Sequence, residues 1–235
     1  MTNAHISSAF DNDLAAVQAK IMKMGGMVED AIQQAMTALE NRDTDLAGQV
    51  RAADAQIDDL EEAINEGAAR IIALRAPTAI DLRLVLSVIK ISGNLERIGD
   101  YAKNMAKRSE GLSQGDQRTE SIGTLRRITR SVQAMLKDAL DAYINRDAAL
   151  AADVIARDQD VDQMYNALFR ELLTFMLEDP RKITACLHLH FIAKNTERMG
   201  DHVTSIAEQV IYLATGKQPE EARAKADTTS DVSGV

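Results

Sequence analysis

The chain of 235 residues has no tryptophan, and Phe and Tyr together make up 3% of it. A platform for stacking nucleic-acid bases needs aromatic faces, so that function class is disfavoured. Basic residues are also in the minority: 27 Lys and Arg stand against 36 Asp and Glu, a formal charge of −9. A phosphate-backbone binder needs a basic face, so no nucleic-acid partner is expected. The one cysteine, Cys186, excludes an intrachain disulfide framework and a cysteine-rich zinc site. Three prolines and twelve glycines are too few for the many turns of a strand-rich fold, which favours long helices. Long apolar runs are missing as well. The most apolar stretch, residues 82–93, carries Arg83 and Lys90 and is too short to span a bilayer, so no membrane insertion is expected. The opening MTNAHISSAFDND has neither a basic region nor an apolar run, so no signal peptide is expected, and a soluble cytoplasmic protein is the default expectation.

What the chain does have is a repeat. Asn41-Arg42-Asp43 recurs as Asn145-Arg146-Asp147, an offset of 145 − 41 = 104. The same offset pairs Ile21 with Leu125, Val28 with Val132, Val50 with Val154, Asp54 with Asp158 and Asp58 with Asp162. Further on, Asn94-Leu95-Glu96-Arg97-Ile98-Gly99-Asp100 answers Asn195-Thr196-Glu197-Arg198-Met199-Gly200-Asp201, with the offset reduced to 195 − 94 = 101. A period this long marks a duplicated domain rather than a solenoid.

Each half carries three apolar stripes at helical spacing. In the first half they are Leu14–Leu39, Val50–Ile71 and Leu84–Met105. Asp43 or Thr44 caps the second helix, which ends before Pro77. Three more helices are predicted near 119–145, 148–178 and 181–215. The expected fold is all-α: two tandem antiparallel three-helix bundles related by internal duplication. A loop from Glu110 to Asp116, with Gly111 and Gly115, separates the halves; the predicted bounds are 1–112 and 117–216, followed by a flexible tail at 217–235 that has no apolar stripe to bury.

The acidic residues fall into register on this scaffold. Each half has two i,i+4 acidic pairs: Asp54/Asp58 and Glu96/Asp100, then Asp158/Asp162 and Glu197/Asp201. Four residues is about one helical turn, so each pair shares a face, one position round from the apolar stripe and at the border of the core. Folding the first hairpin at Pro77 brings Asp58 level with Glu96 and Asp54 level with Asp100, and folding the second at Pro180 does the same for its set. Glu61 is placed to join the first set, whereas its counterpart is Tyr165. Four converging carboxylates need compensation. A hard cation with oxygen ligands supplies it, as do Arg97 and Arg198; the competing reading is a solvated acidic face. Gly99 and Gly200 lie inside helices and are read as sites of tight helix packing. Neither Glu96 nor Glu197 has a histidine three residues on, as a ferritin-like di-iron site requires, and there is no phosphate-cradling glycine loop. Cys186 reads as a buried small residue, His188 and His202 as ordinary helix residues, and His190 as a weak candidate ligand.

Asp81-Leu82-Arg83 after Pro77-Thr78, with the paired Glu-Arg-x-Gly-Asp runs at 96–100 and 197–201, resembles the PhoU family of phosphate-transport accessory proteins over about residues 5–216. The resemblance implies two three-helix bundles, often as a homodimer. It implies acidic x-x-x-Asp motifs that hold metal ions (iron, manganese, zinc or magnesium), which map onto Glu96/Asp100, Glu197/Asp201, Asp54/Asp58 and Asp158/Asp162. It further implies a non-enzymatic negative regulator of phosphate uptake and of the phosphate-starvation response. Its partners would be the ATPase subunit of the phosphate ABC transporter and a phosphate-sensing histidine kinase. The second half departs from the pattern, with Tyr165 in place of an acid and no Pro-x-x-x-Asp-Leu-Arg run. The alternative function is a metal-dependent carboxylate enzyme built on a helical bundle.

Overall fold

The computed structural model describes residues 2–112 and 121–217, and side chains from residue 9 on. Its elements are α1 (Thr2–Asn41), α2 (Thr44–Arg75), α3 (Ile80–Leu112), α4 (Ser121–Asn145), α5 (Ala148–Glu178) and α6 (Ile183–Thr215), with a 3₁₀ turn at Pro180–Lys182. The described residues are all-α and contain no strand. Of the loop expected at 110–116, residues 110–112 instead complete the last turn of α3, and 113–116 lie outside the described residues, as do all but the first residue of the expected tail.

The repeated Asn-Arg-Asp turn breaks the first long helix of each half in the same way. Arg42 (φ 55°) and Arg146 (φ 53°) adopt the left-handed conformation, which closes the preceding helix. The amide of Asp43 then donates to the Ala38 carbonyl and that of Asp147 to the Ala142 carbonyl, each at 2.9 Å. The Asp43 side chain caps α2 by accepting from the Leu46 amide, and Asp147 caps α5 from Ala149 and Leu150. The second hairpin turns differently from the first. Asp179 caps the 3₁₀ turn at Pro180, whereas α2 ends on left-handed Ala76 just before Pro77.

Within each half the three helices pack on one another, α1 on α2 and α3, and α4 on α5 and α6. The halves then join as two layers. α3 lies along α6 and α1 along α4, while α2 and α5 take no part in the contact between halves. Side-chain contacts fix both pairs as antiparallel. Thr129 reaches Met36 and Gln133 reaches Glu29 across α1 and α4. Arg83 lies over Tyr212 and Arg108 over Phe191 across α3 and α6. Residues of the apolar stripes, among them Ile21, Val28, Ile64, Ile98, Leu136 and Val203, are buried. Burial at about 25 cal/mol per Å² of apolar surface is the main stabilising term. α2 and α5 are therefore left as the outer helices, each presenting one edge of its hairpin groove to solvent.

Candidate functional site

The two hairpins carry the acidic residues in the predicted register. Lys103 on α3 reaches Asp54 on α2, and Gly99 faces both Asp54 and Ile57, so Asp54 stands level with Asp100 and Asp58 with Glu96. In the second half Gly200 faces Asp158 and Val161, which levels Asp158 with Asp201 and Asp162 with Glu197. Burial departs from the expected border position. Asp54, Asp158, Asp162 and Glu197 are buried; Glu96, Asp100 and Asp201 are half-buried; Asp58 alone is exposed. The reason is that α2 and α5 close over the groove, so a residue beside the apolar stripe of one helix is covered by the partner helix of the hairpin.

The glycines make that closeness possible. A methyl group at Gly99 would stand 3.1 Å from the Ile57 Cδ1, and one at Gly200 only 2.9 Å from the Asp158 Oδ1. Each glycine therefore does more than admit a neighbouring helix: it lets a buried carboxylate lie against the backbone of the helix that carries the Glu-Arg-x-Gly-Asp run.

Cationic side chains belonging to the protein occupy both sites. Lys103 Nζ donates to Asp54 Oδ2 at 2.5 Å and to Asp100 Oδ1 at 3.2 Å, bridging the two helices. The Asp54 hydrogen bond, above all, raises the Lys103 ammonium well beyond its usual range. In the second half Lys194 Nζ lies 3.0 Å from Glu197 Oε1 and 5.0 Å from the Tyr165 ring centre. These lysines are not repeat-related: the counterpart of Lys103 is Thr204, and that of Lys194 is Gly93. Arg97 lies 3.5 Å from Glu96 and 3.9 Å from Asp100, but is mostly exposed.

Electrostatic crowding is visible in the first half. Burial, then Asp100, pushes the Glu96 carboxyl up to about 7, against the opposing pull of Arg97. Burial and then Asp54 raise Asp58 as well. Asp54 and Asp100 hold an ammonium between two carboxylates, and a hard cation would call on the same oxygen donors. As they stand, no three His, Cys, Asp or Glu side chains among the described residues are gathered as a ligand set. An ion would have to take the place of Lys103 and draw the carboxylates inward.

The other residues singled out from sequence fall elsewhere. Cys186 is buried. His190 packs among Tyr165, Phe169 and Phe191. His202 joins the halves: its Nδ1 lies 2.8 Å from Asn94 Oδ1, and its ring tilts against Tyr101. Sequence reasoning missed Lys103, Lys194 and the role of His202. For Lys103 a signal was present, because it lies three residues after Asp100, on the same face of the helix.

The chain matches the PhoU domain twice, over residues 21–109 and 125–210. Over 235 residues it is 43% identical to the phosphate-specific transport system accessory protein PhoU homolog of Rhizobium meliloti, covering 100% of this chain and 99% of the relative. The corresponding protein of Zymomonas mobilis is 48% identical over 222 residues, covering 94% of this chain and 93% of the relative. The crystal structure of PhoU from Pseudomonas aeruginosa superimposes with a TM-score of 0.86 at 42% identity, covering 88% of this chain and 100% of that one. The phosphate transport system regulatory protein PhoU from Streptococcus pneumoniae gives 0.84 at 29% identity, with 90% and 100% coverage.

Proposed function

The chain belongs to the PhoU family, and from that premise we propose that it is a cytoplasmic accessory protein of phosphate transport that restrains phosphate uptake and the phosphate-starvation response. It acts by contact rather than turnover, as an adaptor between the ATPase subunit of the phosphate ABC transporter and a sensor histidine kinase, and it works as a homodimer. The observation that carries this reading is the end-to-end likeness to accessory proteins of the phosphate-specific transport system. The geometry is in keeping with it, because the outer helices α2 and α5 leave one edge of each carboxylate groove, with Asp58, Glu96, Asp100 and Asp201, at least partly open to solvent. No helix among the described residues is long and apolar enough to cross a membrane, so membrane proximity would come through the partners.

Within this reading the first groove holds a cation through Asp54, Asp58, Glu96 and Asp100, and the second through Asp158, Asp162, Glu197 and Asp201. Iron, manganese, zinc and magnesium all suit oxygen donors. A bound ion would cancel like-charge repulsion between the hairpin helices and change the charge that the groove presents to a partner. The protein's own part is to hold the carboxylates level on rigid helices, with Gly99 and Gly200 admitting the close approach.

The test is genetic. Deleting the gene should switch on a phosphate-starvation reporter in phosphate-replete cells, and Glu96→Ala/Asp100→Ala should do so in part at normal protein level. A deletion that leaves both the reporter and phosphate uptake at wild-type values refutes the proposal.

A further inference from the structure

The two halves differ at a position that adjoins the carboxylate grooves. On the outer side of the second half, Arg157 of α5 lays its guanidinium against α4. It donates to Asp138 Oδ2 at 2.6 Å and pairs with Asp153 Oδ2 at 3.1 Å. The repeat counterpart of Arg157 is Ala53 (157 − 104), and that of Asp138 is Gln34 (138 − 104). Where the arginine side chain would run in the first half there is a cavity of about 150 Å³ between α1 and α2. Both counterparts line it, together with Asp30, Asp54 and Gly99.

The lining specifies the missing group. Truncating arginine to alanine removes the cation but leaves carboxylates in its surroundings. Asp54 is 4% exposed and already takes one bond from Lys103, so the lining carboxylate left without a cation among the described residues is Asp30, an acid that the second half lacks, its counterpart being Ala134. Gln34 adds an amide oxygen able to accept from an N–H. The apolar wall of Met27, Val50 and Ile57 suits the weakly hydrated face of a guanidinium better than a compact, strongly hydrated ammonium. Ala53, Asp30 and Gln34 are exposed, so the cavity opens to solvent at its mouth.

We propose that this cavity receives an arginine side chain from a partner protein, the partner supplying in the first half the guanidinium that Arg157 supplies in the second. The partner arm of this proposal rests on the adaptor reading; the cavity itself can be probed without it. Agmatine, which carries a free guanidinium, serves as the probe in a titration of the isotope-labelled full chain followed by amide chemical shifts. Saturable shifts centred on Asp30, Gln34 and Ala53 are expected in the millimolar range, the strength of a single small-group contact. Gln34→Asp/Ala53→Arg recreates the internal pair and should abolish those shifts while leaving the rest of the spectrum in place. Asp30→Asn, which adds no bulk, should weaken them several-fold and covers the case in which the double variant folds poorly. With the partner, the double variant should bind at least tenfold more weakly. Absence of saturable shifts overturns the proposal, as do shifts that persist unchanged in the double variant or putrescine acting as strongly as agmatine. If agmatine binds as stated but the gene deletion has no regulatory effect, the adaptor reading fails and the guanidinium site stands.

Discussion

Between the levels of Gly93 and Gly99 the first hairpin carries five acidic side chains, Asp54, Asp58, Glu61, Glu96 and Asp100, of which Asp54 and Asp100 share one lysine. The second hairpin has four, and where Glu61 would be it has Tyr165, with Lys194 in place of Gly93. Two substitutions thus convert a carboxylate facing a glycine into an aromatic ring under an ammonium. Burial follows the charge: Asp162 and Glu197 are covered, whereas their counterparts Asp58 and Glu96 are exposed and half-buried. Duplication preserved the backbone and the carboxylate register, because packing constrains both. It left the local charge balance free to diverge, because that balance rests on a few side chains at the groove edge.

The largest expected effect tests whether the halves are energetically separate. Ile64 and its counterpart Leu168 are both buried, so replacing either by Ala should cost about 2–5 kcal/mol. Because α1 and α3 pack on α4 and α6, each substitution is expected to lower the midpoint of a single denaturant transition. Two separated transitions, with only one shifted, would show that the halves unfold independently.

Removing the first-half cation comes next. Lys103→Met leaves Asp54 and Asp100 without their shared donor and should cost about 1–3 kcal/mol, the range for a buried acceptor losing its partner. Manganese should then raise the melting temperature of this variant more than that of the wild type, since it no longer competes with the ammonium. An equal rise in both would mean that Lys103 does not sit in the path of an ion. Lys194→Met gives the matching measurement for the second groove.

A smaller effect is expected from Arg157→Ala, which opens in the second half the space already open in the first. The pair is about one-third exposed, so a loss of about 0.5–1.5 kcal/mol is expected by urea denaturation. No loss would make Arg157 a surface ornament and weaken the parallel with the first-half cavity.

The smallest effect is on pH dependence. The Glu96 carboxyl titrates at about 7 in the folded protein against its ordinary 4.5, so the folded state binds this proton more tightly than the unfolded one. Its contribution to stability is fully present below about 4.5 and is lost as the pH rises through about 7. The urea midpoint of chelator-treated protein should therefore decline across that window, and Glu96→Gln should flatten the decline. A midpoint that rises over the same window would reverse the assigned sign.

Much of the architecture was legible in the chain. Six apolar stripes at helical spacing, the duplicated Asn-Arg-Asp turns and the hairpin prolines lead directly to the helices and to which carboxylates stand level. These features were readable because each depends on residues close in sequence or related by simple rise along a helix. The burial of Asp54 and Glu197 was not, since it depends on how tightly the other helix of the hairpin closes over them. Nor was the pairing of α3 with α6, in which His202 meets Asn94 across 108 residues of chain.

The sequence by itself determined the helices, their duplication and the level of the acidic pairs, because a 3.6-residue period and equal rise per residue are local properties of the backbone. Only the tertiary structure decided that Lys103 bridges Asp54 and Asp100, and that Arg157 fills a space which Ala53 leaves open. Those outcomes depend on distances between helices. The distances are set by the packing of whole faces, and no spacing along one chain segment encodes them.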